Sequence, residues 1–327
     1  MEIICGSHQL RAKHKNCVLT IGNFDGVHLG HREVLNRLKK QALSMHLPMT
    51  VMIFEPQPAE FFLGKSAPAR LTRLRDKCIQ LSRLGVDRLL VIKFNEAFAN
   101  QTPREFVENL LVDKLGIKLL VVGDDFHFGA HRQGDFPLLQ AEGKKYGFHV
   151  LDTQSYCLNN DRISSTKIRQ ALEVSDLEKA QTMLGRPYSI SGRVMHGRCL
   201  GRTIGFPTAN LSMQHLVSPV SGVYAVQVFL QSALFVDTPA EEQKTPPKQT
   251  KFYLGIANIG HRPTVNGIRQ QLEVHIYDFD RDLYGKHIKV VLRHKLRDEK
   301  KFDSFARLKE QIQHDAIAAK QWLLANK

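Results

Sequence analysis

Two hydrophobic periods divide the chain. In its first half, short continuous apolar runs at residues 17–21, 49–54, 88–94, 119–123 and 148–151 predict strands buried on both faces. Segments with 3–4 spacing lie between and after them, at residues 31–43, 71–84, 103–115, 165–173 and 176–184. In the first of these Val34, Leu35 and Leu38 share one helical face. Strands alternating with helices predict a mostly parallel sheet covered on both sides. Ligands of such sheets sit beyond the carboxyl ends of the strands.

The pattern changes at Gly185-Arg186-Pro187. Strand-like runs follow at 188–195, 223–230, 252–259, 271–277 and 288–292, separated by Gly- and Pro-containing turns, with no helix between them. That predicts a small antiparallel barrel. Residues 237–248, within the 231–251 connection, are polar and Pro-rich, the expectation being an exposed, mobile loop. Residues 302–324 predict a closing helix whose seam is Phe305, Leu308, Ile312, Ala316, Ala319 and Leu323. The expectation is an α/β domain over 1–185 and a mainly β domain, a barrel with a C-terminal helix, over 186–327.

A length of 327 residues and a hydrophobic share of 43% suit two domains with real cores. Lys and Arg total 46 against 32 Asp and Glu, and the resulting +14 favours anionic partners, nucleic acid or polyphosphate nucleotides. The five cysteines are scattered without paired metal-binding spacing, which predicts a reduced, cytoplasmic protein. No apolar run approaches the roughly 20 residues of a membrane span, so no membrane association is expected.

The densest chemistry lies where the first strand gives way to a helix: Gly22-Asn23-Phe24-Asp25-Gly26-Val27-His28-Leu29-Gly30-His31. Gly22 and Gly26 permit a tight turn, and the helix start supplies free N–H groups. His28 and His31, three apart, share a face of the first turn, with Gly30 between them leaving room for a nucleotide. Two imidazoles there can hold the phosphates of ATP and bind them more strongly as charge develops at Pα.

Two aromatic stretches follow other strands, Phe54-Glu55-Pro56-Gln57-Pro58-Ala59-Glu60-Phe61-Phe62 and Gly123-Asp124-Asp125-Phe126-His127-Phe128-Gly129. Their rings suit either a flat ligand or the core. Ser164-Ser165-Thr166-Lys167-Ile168-Arg169 opens a helix, either as a cap with a solvated Arg or as a second phosphate clamp.

In the barrel half, Gly201-Arg202-Thr203-Ile204-Gly205-Phe206-Pro207-Thr208-Ala209-Asn210 reads as a shaped loop rather than a strand. Thr208 and Asn210 offer neutral oxygens suited to magnesium, and no Walker motif occurs. Glu273, in 271–277, is a carboxylate able to take a hydroxyl proton or an outward polar residue; periodicity leaves its face open, and a base role needs it turned towards the Thr208–Asn210 loop.

The His-x-Gly-His tetrad resembles that of the nucleotidyltransferase superfamily, without choosing among its members. All the stretches together resemble the bacterial bifunctional riboflavin kinase/FAD synthetase family. The N-terminal motifs occur in that family's order. Gly-Arg-x-x-Gly-Phe-Pro-Thr-Ala-Asn, Gly222-Val223-Tyr224, Asn258-Ile259-Gly260 with Arg262-Pro263-Thr264, Glu273-Val274-His275 and Asp282-Leu283-Tyr284-Gly285 match its kinase module.

The resemblance implies a Rossmann-like nucleotidyltransferase domain that adenylylates FMN to FAD, and a barrel that phosphorylates riboflavin to FMN. It implies ATP contacts from Gly22, Asn23, Phe24, Asp25, His28, His31, Ser165, Thr166 and Arg169 in the first module, and from Gly201, Thr208 and Asn210 in the second. Flavin contacts fall to Phe54, Pro56, Pro58, Phe62, Asp125 and Phe128. Thr208 and Asn210 are implied to hold Mg2+, with Glu273 as catalytic base. His127 stands where many relatives carry Arg, His261 where relatives often carry Thr, and the 231–251 loop is longer than usual. The partners expected are riboflavin, FMN and ATP, with no nucleic acid and no obligate protein partner. Another adenylyltransferase would leave the barrel motifs unexplained, and intact His28, His31, Asn210 and Glu273 argue against a flavin-binding regulator with dead sites.

Overall fold

The computed structural model describes residues 1–123, 125–153, 157–158, 161–196, 205–213, 217–231, 251–264 and 267–326. The 231–251 loop lies almost wholly outside them. Chain contacts form two compact units, Met1–Pro68 with Thr72–Ser165, and Ala69–Leu71 with Thr166–Lys327.

The first unit is built on six parallel strands: β1 (Glu2–Cys5), β2 (Val18–Ile21), β3 (Met49–Glu55), β4 (Arg88–Lys93), β5 (Leu119–Val122) and β6 (His149–Asp152), in the order β1-β4-β3-β2-β5-β6. Alternation splits the central strands between two cores. Leu19, Ile21, Met52, Phe54, Leu120 and Val122 pack on one face, and Val18, Val51, Ile53, Leu119 and Val121 on the other. From β2 the chain builds outward through β3 to β4, then returns to lay β5 on the other side of β2. Strand order therefore reverses between β2 and β5, where open α/β sheets form their ligand crevice. The motifs after Ile21 and Val122 both begin there.

The predicted helices form, with Leu29–Ser44 and Leu74–Arg83 among them. Residues 103–115 become a short turn, Pro103–Glu105, running into a wider π-type helix, Phe106–Lys114. The pattern missed β1, a short edge strand, and the helix Phe136–Tyr146. That helix starts on Asp135, whose carboxylate accepts the Leu138 N–H at 2.9 Å. It holds a glycine because the Phe148 carbonyl packs against it, 2.6 Å from where a Gly143 Cβ would stand.

The second unit is a closed antiparallel barrel of β9 (Ser189–Met195), β10 (Ala209–Ser212), β11 (Gly222–Gln231), β12 (Phe252–Thr264), β13 (Gly267–Ile276) and β14 (His287–Arg297), ordered β10-β13-β12-β11-β14-β9. The earlier strands β7 (Cys157–Leu158) and β8 (Asp161–Arg162) form a separate hairpin. Leu272 and Val274 of β13 are fully buried and pair with Leu211, Ile259 and Ala257, which face the barrel interior. The opposite face carries Val223, Ala225 and Ile256, which pack against Ala319 and Leu323 of the C-terminal helix Phe305–Ala325.

Two expectations change here. Residues 209–210 belong to a strand, because Leu211 pairs with Leu272 in the interior and draws its neighbours into the ladder. The helix seam holds over Ala316, Ala319 and Leu323, whereas Phe305, in the first turn, is exposed. No helix among the described residues is long and apolar enough to cross a membrane.

Candidate active sites

The turn after β2 is held in a conformation that its sequence does not favour. Phe24 and Val27 carry φ values of 47° and 41°, a region that non-glycine residues seldom occupy. The turn is pinned on several sides. The Val27 N–H donates to the Phe24 carbonyl at 3.2 Å. The buried Asp25 carboxylate accepts the Thr72 N–H at 3.0 Å, and the Asp25 carbonyl accepts the Ser165 hydroxyl at 2.9 Å. Asp25 and Ser165, both expected at ATP, thus also serve as struts of the turn.

His28 caps the following helix, its Nδ1 accepting the His31 N–H at 3.3 Å. With Nδ1 an acceptor, neutral His28 carries its proton on Nε2, which remains a donor. The two imidazoles stack with centroids 3.6 Å apart and planes 15° apart, and Phe24 packs on His31 at 5.0 Å. Gly30 makes room for the His28 ring: a Cβ there would lie 3.2 Å from that ring and 3.6 Å from the Ile163 carbonyl. Gly22 and Asn23 complete the turn, Gly22 half-buried and Asn23 exposed.

Thr166, exposed, and Arg169, half-buried, fall in the second unit. The Arg169 guanidinium donates to the Ala69 carbonyl at 2.5 Å, so it has a structural partner as well as the phosphate role expected of it.

The aromatic stretches join a larger cluster than the sequence suggested. Phe62 and Phe61 contact each other at 5.2 Å and reach Phe94 at 5.7 and 5.5 Å. The cluster continues through Phe54, Phe98 and Phe106 to Phe128, which stacks on Phe126 at 5.8 Å. Within it the expected flavin contacts differ sharply. Phe54 and Phe128 lie in the core at 8% and 7% exposure, while Phe62 is 65% exposed. Pro56 is exposed and Pro58 opens the short helix Pro58–Leu63. Between them Gln57, which sequence reasoning passed over, is buried, and its Nε2 has no hydrogen-bond partner among the described residues. Asp125 is exposed with Arg162 at 3.8 Å, and its carbonyl accepts from the His127 ring at 2.8 Å.

In the barrel, Asn210 of β10 stands directly opposite Glu273 of β13, and Glu273 directly opposite Asn258 of β12. Residues directly opposite in antiparallel strands project to the same face. That face is the outer one, since Asn258 in turn pairs with Val223 beneath the C-terminal helix. Leu272 and Val274 take the interior, so Glu273 points out of the barrel and towards Asn210. The Gln271 amide donates to Asn210 Oδ1, and the Asn210 amide approaches the Thr208 carbonyl at 3.5 Å. His275 holds the preceding segment, its Nδ1 donating to the Pro207 carbonyl at 2.9 Å while its ring meets Phe206. Gly201 and Arg202 lie outside the described residues, as does the side chain of His261.

Both halves match family models, residues 10–167 that of FAD synthetase and residues 184–323 that of riboflavin kinase. The bifunctional riboflavin kinase/FMN adenylyltransferase of Escherichia coli K12 is 51% identical over 323 residues, covering 98% of each chain. The chain belongs to the bifunctional riboflavin kinase/FMN adenylyltransferase family. The Haemophilus influenzae member is 49% identical over 320 residues, again 98% of each chain. A crystal structure described as a macrolide-efflux protein from Streptococcus pneumoniae superposes with a TM-score of 0.74 over 96% of this chain and 97% of that one, at 30% identity.

As a bifunctional enzyme of this family, the chain divides its expected residues between two constellations. The adenylyltransferase unit gathers Gly22, Asn23, Phe24, Asp25, His28, His31 and Ser165 around one turn. The kinase unit gathers Thr208, Asn210 and Glu273 at one end of β10 and β13.

Proposed function

We propose that the barrel transfers the γ-phosphate of ATP to the riboflavin 5′-hydroxyl through Glu273, and that the parallel-sheet unit adenylylates the resulting FMN through His28 and His31. The observation that carries the kinase assignment is the shared outer face of Asn210 and Glu273. Glu273 takes the proton of the 5′-hydroxyl, whose oxygen attacks Pγ as the bond to ADP breaks. Thr208 and Asn210 supply neutral oxygens, and with a carboxylate on the same face they fit a hard cation such as Mg2+. That ion would neutralise phosphate charge in the transition state.

In the second reaction an FMN phosphate oxygen attacks Pα of another ATP, a new P–O–P link forms, and pyrophosphate leaves. The phosphate is already ionised near neutral pH, so the reaction needs no protein base. His28 donates through Nε2, and His31 stands beside it on the same first turn of the helix. Thr166 and Arg169 are assigned to phosphate contacts, and the exposed Phe62 and Pro56, with Pro58, Asp125 and the more buried rings of Phe54 and Phe128, to the flavin. Gln57 adds a buried amide donor suited to a polar edge of the ring. We assign adenylyl transfer to residues 1–185 and the kinase to 186–327, with the helices of 165–184 supporting the barrel.

The test is to incubate the purified chain with riboflavin, ATP and magnesium and to separate the flavins. FMN should appear first and FAD after it, and both should fail when the metal is chelated. A chain that makes neither flavin contradicts the proposal.

A further inference from the structure

Lys77 is fully buried. Lysine is almost never completely withdrawn from water unless its charge is met inside the protein. It lies in the helix Leu74–Arg83, and its Nζ donates to the Asn23 carbonyl at 2.6 Å. The Asn23 carbonyl belongs to the turn that carries the adenylyltransferase motif. That turn holds Phe24 at a φ of 47°, a conformation that persists only when its surroundings impose it.

A trans peptide is planar, and its carbonyl and the next residue's N–H point in opposite directions. Fixing the Asn23 carbonyl on a buried ammonium therefore fixes the Phe24 N–H, directed away from Lys77. No group among the described residues accepts that N–H. It lies four residues before His28, on the same turn. A backbone donor of this kind, held before the substrate arrives, stabilises developing phosphate charge without having to reorganise.

We propose that Lys77 is a positioning residue for adenylyl transfer: its buried ammonium orients the Asn23–Phe24 peptide so that the Phe24 N–H meets one non-bridging oxygen of the ATP α-phosphate. The inference rests on the reading that His28 and His31 hold the phosphates of ATP in this unit. Lys77 does not touch the substrate and acts only through the turn.

The test uses the full-length enzyme and Lys77→Met, which keeps the side chain's length and removes its charge. FMN adenylylation should lose roughly 10- to 100-fold in kcat, less than removal of a whole oxyanion donor commonly costs, with KM for ATP changing far less. The decisive readout is the rate ratio between the Rp and Sp diastereomers of ATP carrying sulfur on Pα. An oriented donor distinguishes the two oxygens, so the parent should prefer one diastereomer and Lys77→Met should narrow that preference. Riboflavin phosphorylation by the same samples should stay at the parental rate.

A drop in kcat with an unchanged diastereomer ratio would make Lys77 a merely structural residue and overturn the proposal. So would parental kcat, or a parent that uses both diastereomers equally. If Lys77→Met does not fold, Lys77→Gln, which keeps a donor without the charge, should lose at least several-fold in kcat and narrow the ratio; parental values would overturn the proposal just as well. Failure of the underlying reading looks different: His31→Ala would then retain FAD synthesis whatever happens at Lys77.

Discussion

Asn210 and Glu273 face each other across the β10–β13 pairing, on the outer surface of the barrel. The ladder puts the two residues on one face, and the Asn210 amide is itself held by Gln271 and the Thr208 carbonyl. The pairing sets the two residues at the distance of adjacent strands, about 5 Å, the spacing that the proposed phosphate- and metal-holding role of Asn210 beside Glu273 requires.

Glu273→Gln keeps the size and hydrogen bonding of the side chain and removes the base. Riboflavin phosphorylation should fall by roughly 10² to 10⁴, while added FMN is still converted to FAD. Near-normal FMN production would remove the base assignment and leave positioning by Thr208 and Asn210 as the whole of the catalysis.

His31→Ala removes a ring stacked on His28 and a donor beside the turn. FAD formation should drop by roughly 10² to 10³, with FMN accumulating from riboflavin. Equal losses in both activities would mean that the histidine pair supports the fold and not the reaction.

The helix Leu177–Leu184 buries Ala180, Met183 and Leu184, and Ser175 Oγ lies 3.3 Å from the Tyr224 hydroxyl of β11. A fragment Thr166–Lys327 should fold and phosphorylate riboflavin unaided. One beginning at residue 185 should melt lower, since burial contributes roughly 1.5 to 3 kcal/mol for each of Met183 and Leu184. Equal thermal midpoints for the two fragments would show that these helices do not belong to the barrel's fold.

Burial pushes the thiols of Cys17 and Cys78 up to about 11. At pH 8 iodoacetamide should therefore modify the exposed Cys5 and spare both in the native protein, as peptide mass spectrometry would show. The linkage has a definite sign. The unfolded chain releases these protons near its ordinary thiol pKa and the folded chain holds them, so stability is full below about pH 8.5 and falls as pH rises towards 11. Denaturant midpoints that rise over that window would contradict the assignment.

Much of this was legible in the sequence because each motif starts where an apolar strand stops. Continuous runs such as residues 17–21 and 49–54 fixed the sheet, and the turn after Ile21 fell at its crevice. Strand β10 was not legible: four residues shortly after a proline carry too short a pattern, and only its pairing with Leu272 on the adjacent strand reveals Leu211 as an interior residue. The face of Glu273 was open for a related reason, since apolar neighbours on both sides suit either orientation until the barrel closes. Phe54, Phe62 and Phe128 read alike in sequence because core and ligand-binding aromatics are the same residue types, and their very different burial depends on the packing of the whole aromatic cluster. Lys77 gave no signal, because a lysine in an amphipathic helix reads as solvated, and its burial depends on the turn it reaches from 54 residues away.

Mixing the two active-site variants tests the central claim that one chain carries two separate chemistries linked by FMN. Glu273→Gln alone should leave riboflavin unconverted, and His31→Ala alone should stop at FMN. An equimolar mixture supplied with riboflavin, ATP and magnesium should restore FAD, each variant performing the step the other has lost. No FAD from the mixture, with both proteins folded and each retaining its remaining activity on its own substrate, would contradict the account.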